Sequence, residues 1–92
     1  MNSILYKDIP SYSKIIDVRS NSRYLMGHIP NAISIEGITL LGNPNKYLKK
    51  NEKYYLYCES GSTSKMVVEK LNRMGFHTVN IIGGYHNYLL RK

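Results

Sequence analysis

Short, dense apolar runs alternate along this chain with segments whose apolar residues recur on one side only. Lys14-Ile15-Ile16-Asp17-Val18 is a compact apolar run carrying one acid, and it predicts a buried strand. Ala32 to Ile35, Tyr54 to Tyr57 and Thr78 to Ile82 read the same way, and Ile4 to Tyr6 predicts a short first strand. Asp8-Ile9-Pro10-Ser11 reads as a turn or a helix start. Ser20-Asn21-Ser22 supplies side-chain oxygens suited to capping a short helix through Met26. Gly27-His28-Ile29-Pro30-Asn31 follows as a turn, because glycine permits positive φ and Pro30 biases Ile29 toward extended backbone. Gly37 to Leu41 suits one helical turn, broken by Gly42-Asn43-Pro44, and Asn45 to Lys50 reads as a further short helix or loop. From Thr63 or Ser64 to Met74 the pattern is helical, with Val67, Val68, Leu71 and Met74 on one apolar face and Gly75 as the C-cap. Gly83-Gly84 marks a sharp turn before a last helix over Tyr85 to Leu90.

Strand and helix therefore alternate, with connections too long for hairpins. That order predicts an α/β sandwich around a mainly parallel sheet. In open parallel sheets ligands bind beyond the carboxyl ends of the strands. Polar stretches directly follow Val18, Tyr57 and Ile82, so the pattern places them together along one edge of the sheet.

Composition narrows the setting. Ninety-two residues suffice for one domain with one core, and 42% hydrophobic with 21% charged residues is an ordinary globular balance. No run approaches the roughly 18 apolar residues of a membrane span, and no signal-peptide core opens the chain. A soluble, cytoplasmic protein is expected. The lone cysteine excludes an internal disulfide and suits a reducing compartment. A net charge of +7 fits an anionic small substrate or nucleic acid, but the lysines are scattered rather than gathered on one helix face, as on a solvated basic surface.

That cysteine stands where chemistry is expected. Tyr54-Tyr55-Leu56-Tyr57 ends at Cys58, and Glu59-Ser60-Gly61-Ser62-Thr63-Ser64 leads into the predicted helix. A sulfur between a strand end and a helix start meets free backbone N–H groups and the positive end of the helix dipole. Such surroundings lower a thiol pKa from about 8.5 to between roughly 3.5 and 7.5, which makes a nucleophile of it. Gly61 allows a tight loop with converging amides, and the small hydroxyl residues leave room for a bound anion. A buried structural cysteine is the plainer reading of an isolated thiol; the polar, glycine-bearing loop argues against it. Glu59 opposes a thiolate if it turns inward, so it is expected to face solvent or to pair with a cation.

Several segments together resemble a single-domain rhodanese, a sulfurtransferase family. Asp17-Val18-Arg19 is similar to the family's D-V-R strand end, and Tyr24-Leu25-Met26-Gly27-His28-Ile29-Pro30-Asn31-Ala32-Ile33 to its Y-x-x-G-H-I-P-G-A-I segment. Cys58 to Ser64 is similar to the active loop C-x-x-G-x-[RT]-S. Phe76 to Ile82 with Gly83-Gly84 resembles the last strand and the G-G-x-x-x-W helix entry, with Tyr88 in the tryptophan's place. The resemblance implies a three-layer α/β sandwich with a mainly parallel sheet of four or five strands flanked by helices. It implies that Cys58 takes a sulfane sulfur as a persulfide from a small anionic donor such as thiosulfate, or from a protein or low-molecular-weight persulfide. The sulfur then passes to a thiol or cyanide, with no cofactor and no metal. Glu59, Ser60, Gly61, Ser62, Thr63 and Ser64 would form the binding loop.

Two positions depart from the family pattern. Thr63 stands where many members carry an anion-binding arginine, and Arg23 where an acid is usual. Arg23 or Lys65 is therefore a candidate to replace the missing loop cation. Asp17 and Arg19 are read as supports of the pocket, and His28 as a structural hydrogen-bonding residue; none of the three histidines has a partner at metal-ligand spacing. A phosphatase loop needs C-x5-R for a bidentate grip on phosphate, and that position is Ser64. Two other classes remain: a rhodanese-like binding or regulatory module, and RNA binding through the nine tyrosines, which strand packing explains better. Neither nucleic acid nor membrane is the expected partner.

Overall fold

Ile15 and Ile16 are neighbours in sequence, yet they enter separate apolar clusters on opposite faces of one sheet. The computed structural model describes residues 2–91. Its strands are β1 (Ser3–Ile4), β2 (Lys14–Asp17), β3 (Ala32–Ser34), β4 (Lys53–Tyr57) and β5 (His77–Ile81). They form one five-stranded sheet in the order β1-β5-β4-β2-β3, and every pairing is parallel. The helices are a 3-10 turn at Tyr6–Asp8, α1 (Asn21–Met26), α2 (Gly37–Gly42), α3 (Pro44–Tyr47), α4 (Ser62–Arg73) and α5 (Gly84–Leu90). The expected α/β sandwich is present, with a wholly parallel sheet.

Both faces of the sheet are covered, which explains the nearly unbroken apolar character of its central strands. On one face Ile16, Val18, Tyr54, Leu56 and Cys58 pack with Leu40 of α2, Leu48 after α3, and Val67, Val68 and Leu71 of α4. On the other, Ile15, Tyr55, Tyr57 and Ile81 pack with Ile29, Tyr24 of α1, and Tyr85 and Tyr88 of α5. Tyr54, Tyr55 and Tyr57 are thus buried core residues rather than stacking platforms for bases. No helix among the described residues is long and apolar enough to cross a membrane.

The chain passes from β2 outward to β3, then returns to place β4 on the other flank of β2. The direction of winding reverses between β2 and β4, and a crevice opens beyond the carboxyl ends of strands at such a point. Val18 and Arg19 leave β2 there, and Cys58 leaves β4.

Several element boundaries differ from the sequence expectation. The first strand stops at Ile4, because Tyr6 turns into the 3-10 helix and sets its ring edge-on to Tyr88 at 4.8 Å. Helix α3 begins at Pro44 itself, where a missing N–H costs no helical bond. Met74 is exposed rather than part of the buried face, since α4 ends at Arg73 and Met74 becomes its cap. The stop is a Schellman motif: Gly75, at φ 97°, donates to the Asn72 carbonyl and Phe76 to the Leu71 carbonyl, both at 3.1 Å. At the other end of α4 the buried position falls to Ser64.

Candidate active site

The sulfur of Cys58 lies just beyond β4 and faces the amino end of α4. The N–H groups of Gly61 and Ser64 each donate to Sγ at 3.2 Å. Gly61 makes this possible: at φ 106° it caps α4 in a conformation that L side chains rarely adopt, and a Cβ there would lie 3.1 Å from the Gly83 nitrogen. Burial pushes the Cys58 thiol up, but hydrogen bonds from the Ser64 hydroxyl and from the amides of Ser64, Gly61 and Ser60 outweigh it. The net result is a pKa below the ordinary thiol value, so this sulfur is a thiolate more readily than a free cysteine.

Ser64 is fully buried beneath the sulfur, between Cys58 and Asn80 of β5. Its one hydroxyl proton has three candidate acceptors: Sγ, the Gly61 carbonyl at 3.3 Å and the Asn80 side-chain oxygen. In the structure the hydroxyl donates to the Asn80 oxygen, with the Gly61 carbonyl as its other acceptor. Asn80 thereby competes with the sulfur for the hydroxyl proton.

Beside the thiol lies an ionic cluster. Arg19 donates from Nε and Nη2 to the Asp17 carboxylate at 2.8–3.1 Å, from Nη2 to the Gly27 carbonyl at 2.6 Å, and from Nη1 to Glu59 at 3.0 Å. Burial opposes the charge on Arg19, but the bonds to Asp17 and Glu59 hold its pKa above the ordinary value, so it is cationic throughout. Tyr57 donates its hydroxyl to Asp17 Oδ2 at 2.7 Å and accepts the Ile29 N–H at 3.0 Å. The Arg19 guanidinium also lies 4.4 Å from the Tyr85 ring centroid, within cation–π range.

A pocket of about 370 Å³ opens over the sulfur, lined by Val18, Arg19, Ser20, Arg23, Cys58, Glu59 and Thr63. Two larger hollows, of about 790 and 590 Å³, flank Tyr6 and contain no thiol. Among the positions singled out from the sequence, Glu59 is half exposed and pairs with Arg19 and, at 3.5 Å, with Arg23. Ser60 and Ser62 are exposed on the loop and first turn, while Ser64 is buried. Of the two candidate replacement cations, Arg23 reaches the pocket. Lys65 does not, because the helical step of about 100° per residue from buried Ser64 turns it to solvent. His28 bonds the Tyr24 carbonyl through Nδ1 at 2.9 Å and stacks on the Tyr24 ring.

Sequence reasoning did not single out Asn80, the Tyr57 hydroxyl or the packing of Gly84, named there only as part of a sharp turn. Asn80 did leave a signal: with Thr78 it puts polar side chains at alternate positions of the strand, on either side of Val79, and both are buried. Gly84 packs against the backbone of Cys58 and Glu59, a contact between distant segments.

A family model described as a rhodanese-like domain matches residues 2–90. YtwF of Bacillus subtilis, which carries a provisional sulfurtransferase name, is 38% identical over 73 residues, covering 76% of this chain and 67% of that protein. A tRNA sulfurtransferase of Thermoplasma acidophilum is 37% identical over 67 residues, 73% of this chain but only 13% of that much longer protein. Among solved structures, SSP1007 of Staphylococcus saprophyticus is 33% identical with a TM-score of 0.87, covering 96% of this chain and 93% of its own. A human single-domain sulfurtransferase, TSTD1, has a TM-score of 0.88 over 100% of this chain and 98% of its own; at 18% identity it shows a shared fold alone.

Proposed function

The chain belongs to the rhodanese-like domain family, whose model matches residues 2–90, and we propose that it is a sulfurtransferase with Cys58 as nucleophile and sulfur carrier. The observation that carries this reading is the placement of the chain's one cysteine, with Sγ accepting two amides at 3.2 Å at the start of α4. The sulfurtransferase names of relatives at 37–38% identity support it.

In the first half-reaction the Cys58 thiolate attacks the sulfane sulfur of a donor such as thiosulfate or a persulfide. A Cys58–S–S bond forms, and the donor's own bond to that sulfur breaks, its electron pair leaving on sulfite or on a thiolate. In the second, an acceptor thiolate or cyanide attacks the outer sulfur and Cys58 departs as thiolate. Donor and acceptor exchange one sulfur with no net change at the enzyme. The amides of Gly61 and Ser64 stabilise negative charge on Sγ of the resting thiolate and of the thiolate that departs in the second half-reaction, the role of an oxyanion-hole donor transferred to sulfur. A reducing cytoplasm suits a lone catalytic thiol.

Intact-mass measurement after incubation with thiosulfate and, separately, with a small-molecule persulfide tests the reading. A gain of one sulfur that Cys58→Ser lacks, discharged by cyanide or a thiol, is the expected result. Failure of every sulfane donor to load the protein would replace it with a rhodanese-like binding module.

A further inference from the structure

Each cation that lines the pocket over Cys58 is tied to a carboxylate. Among the described residues Arg19 and Arg23 are the only cations that line it, and both face the same Glu59 carboxylate oxygen, at 3.0 and 3.5 Å. Arg19 is further committed to Asp17 and to the Gly27 carbonyl, which leaves one of its five N–H groups, on a side chain only 6% exposed. The two arginines are therefore balanced by two carboxylates before the thiolate is counted, although the chain as a whole carries +7. Thr63, in the first turn of α4, adds no charge.

We propose that Glu59 is a specificity-determining residue: by holding both arginines it disfavours dianionic thiosulfate, and Cys58 takes its sulfur from hydropersulfides, R–S–SH. This deepens the sulfurtransferase reading and rests on it. Thiosulfate brings two negative charges to a site that already holds a thiolate beside Glu59, and it leaves a sulfite dianion behind. A protonated hydropersulfide brings a neutral sulfane end. The thiolate attacks its outer sulfur, the Cys58–S–SH bond forms, the R–S bond breaks, and R–S⁻ leaves with the electron pair. The proton stays on the transferred sulfur or is lost to water, and no oxidant or reductant is needed.

The test is single-turnover loading of Cys58, followed by intact mass, with thiosulfate and with the persulfide of N-acetylcysteamine, an uncharged thiol. Glu59→Gln keeps the size and hydrogen-bonding reach of the side chain while removing its charge. It should raise the ratio of thiosulfate to persulfide loading rates by about tenfold or more. Glu59→Asp, which keeps the charge, should leave the ratio near that of the wild type. A change in the thiolate fraction of Cys58 acts on both donors alike and cancels in the ratio. A ratio unchanged or lowered in Glu59→Gln, with both donors still loading, would overturn the role of Glu59 and leave sulfur transfer intact. Loading of the wild type by neither donor would remove both.

Discussion

The backbone N–H of Tyr85 donates to the carbonyl oxygen of Cys58 at 2.9 Å, so the start of α5 holds the first residue of the sulfur-bearing loop. His86 does the same for the Glu59 carbonyl, also at 2.9 Å. The loop is therefore gripped from two sides: its far end becomes α4, and its near end is tied to the turn after β5.

Gly84 makes that grip possible. Its φ of 59° lies in the left-handed region, and a Cβ there would run into the backbone of Cys58 and Glu59. Gly84→Ala should cost about 1–3 kcal/mol in denaturant unfolding and slow sulfur loading as well. Gly42→Ala is the contrast. It sits in α2 with nothing within 4 Å of the added methyl, and it should be neutral or stabilising by up to about 1 kcal/mol.

Tyr57 joins β4 to the acid of β2 and to the turn before β3. Burial pushes its hydroxyl well above the ordinary tyrosine value, so it remains a donor to Asp17 across the accessible pH range. Tyr57→Phe strips one bond from the buried carboxylate and leaves the Ile29 N–H unpaired. Urea unfolding should register a loss of about 1–3 kcal/mol, with Cys58 alkylation at fixed pH changed little.

Alkylation of Cys58 by iodoacetamide should follow a titration centred below the ordinary thiol pKa. Ser64→Ala should move that midpoint upward by removing a donor to the thiolate. Asn80→Ala removes the acceptor that holds the Ser64 proton, frees it for the sulfur and should move the midpoint downward, which distinguishes a positioning role from a purely structural one. The linkage sign follows from the lowered pKa. Stability owed to the thiolate is fully present above the unfolded value of about 8.5 and is lost as pH falls through the lower folded value. The stability of the wild type relative to Cys58→Ser should therefore rise with pH toward the mildly alkaline range.

Asp17 and Arg19 are both buried, with 0% and 6% of their side chains exposed, and each answers the other's charge. Arg19→Met strands a buried carboxylate and should cost about 3–5 kcal/mol. Changing Asp17→Asn in the same protein should recover part of that loss, because it removes the uncompensated charge. Thermal unfolding of the single and double variants reads this directly.

Much of the site is local, and that part is legible in the sequence. An apolar run ending at Cys58, a glycine able to take positive φ, and a helical period starting within a few residues place the sulfur at a helix start without reference to distant residues. Alternating strand and helix patterns likewise imply a parallel sheet with its polar stretches at one edge. The partners of the charged and polar side chains are a different matter. Asp17 lies beside Tyr57 only because β2 and β4 pair in that register, and Arg19 meets Glu59 across 40 positions of sequence. Arg23 reaches the pocket and Lys65 does not because of the angle at which each helix presents it. So the candidate nucleophile and its loop were decided by short-range pattern. The fate of Glu59, the Ser64–Asn80 pair beneath the sulfur and the near neutrality of the pocket were decided by tertiary structure, since strand register and helix rotation set which side chains meet and no local pattern encodes them.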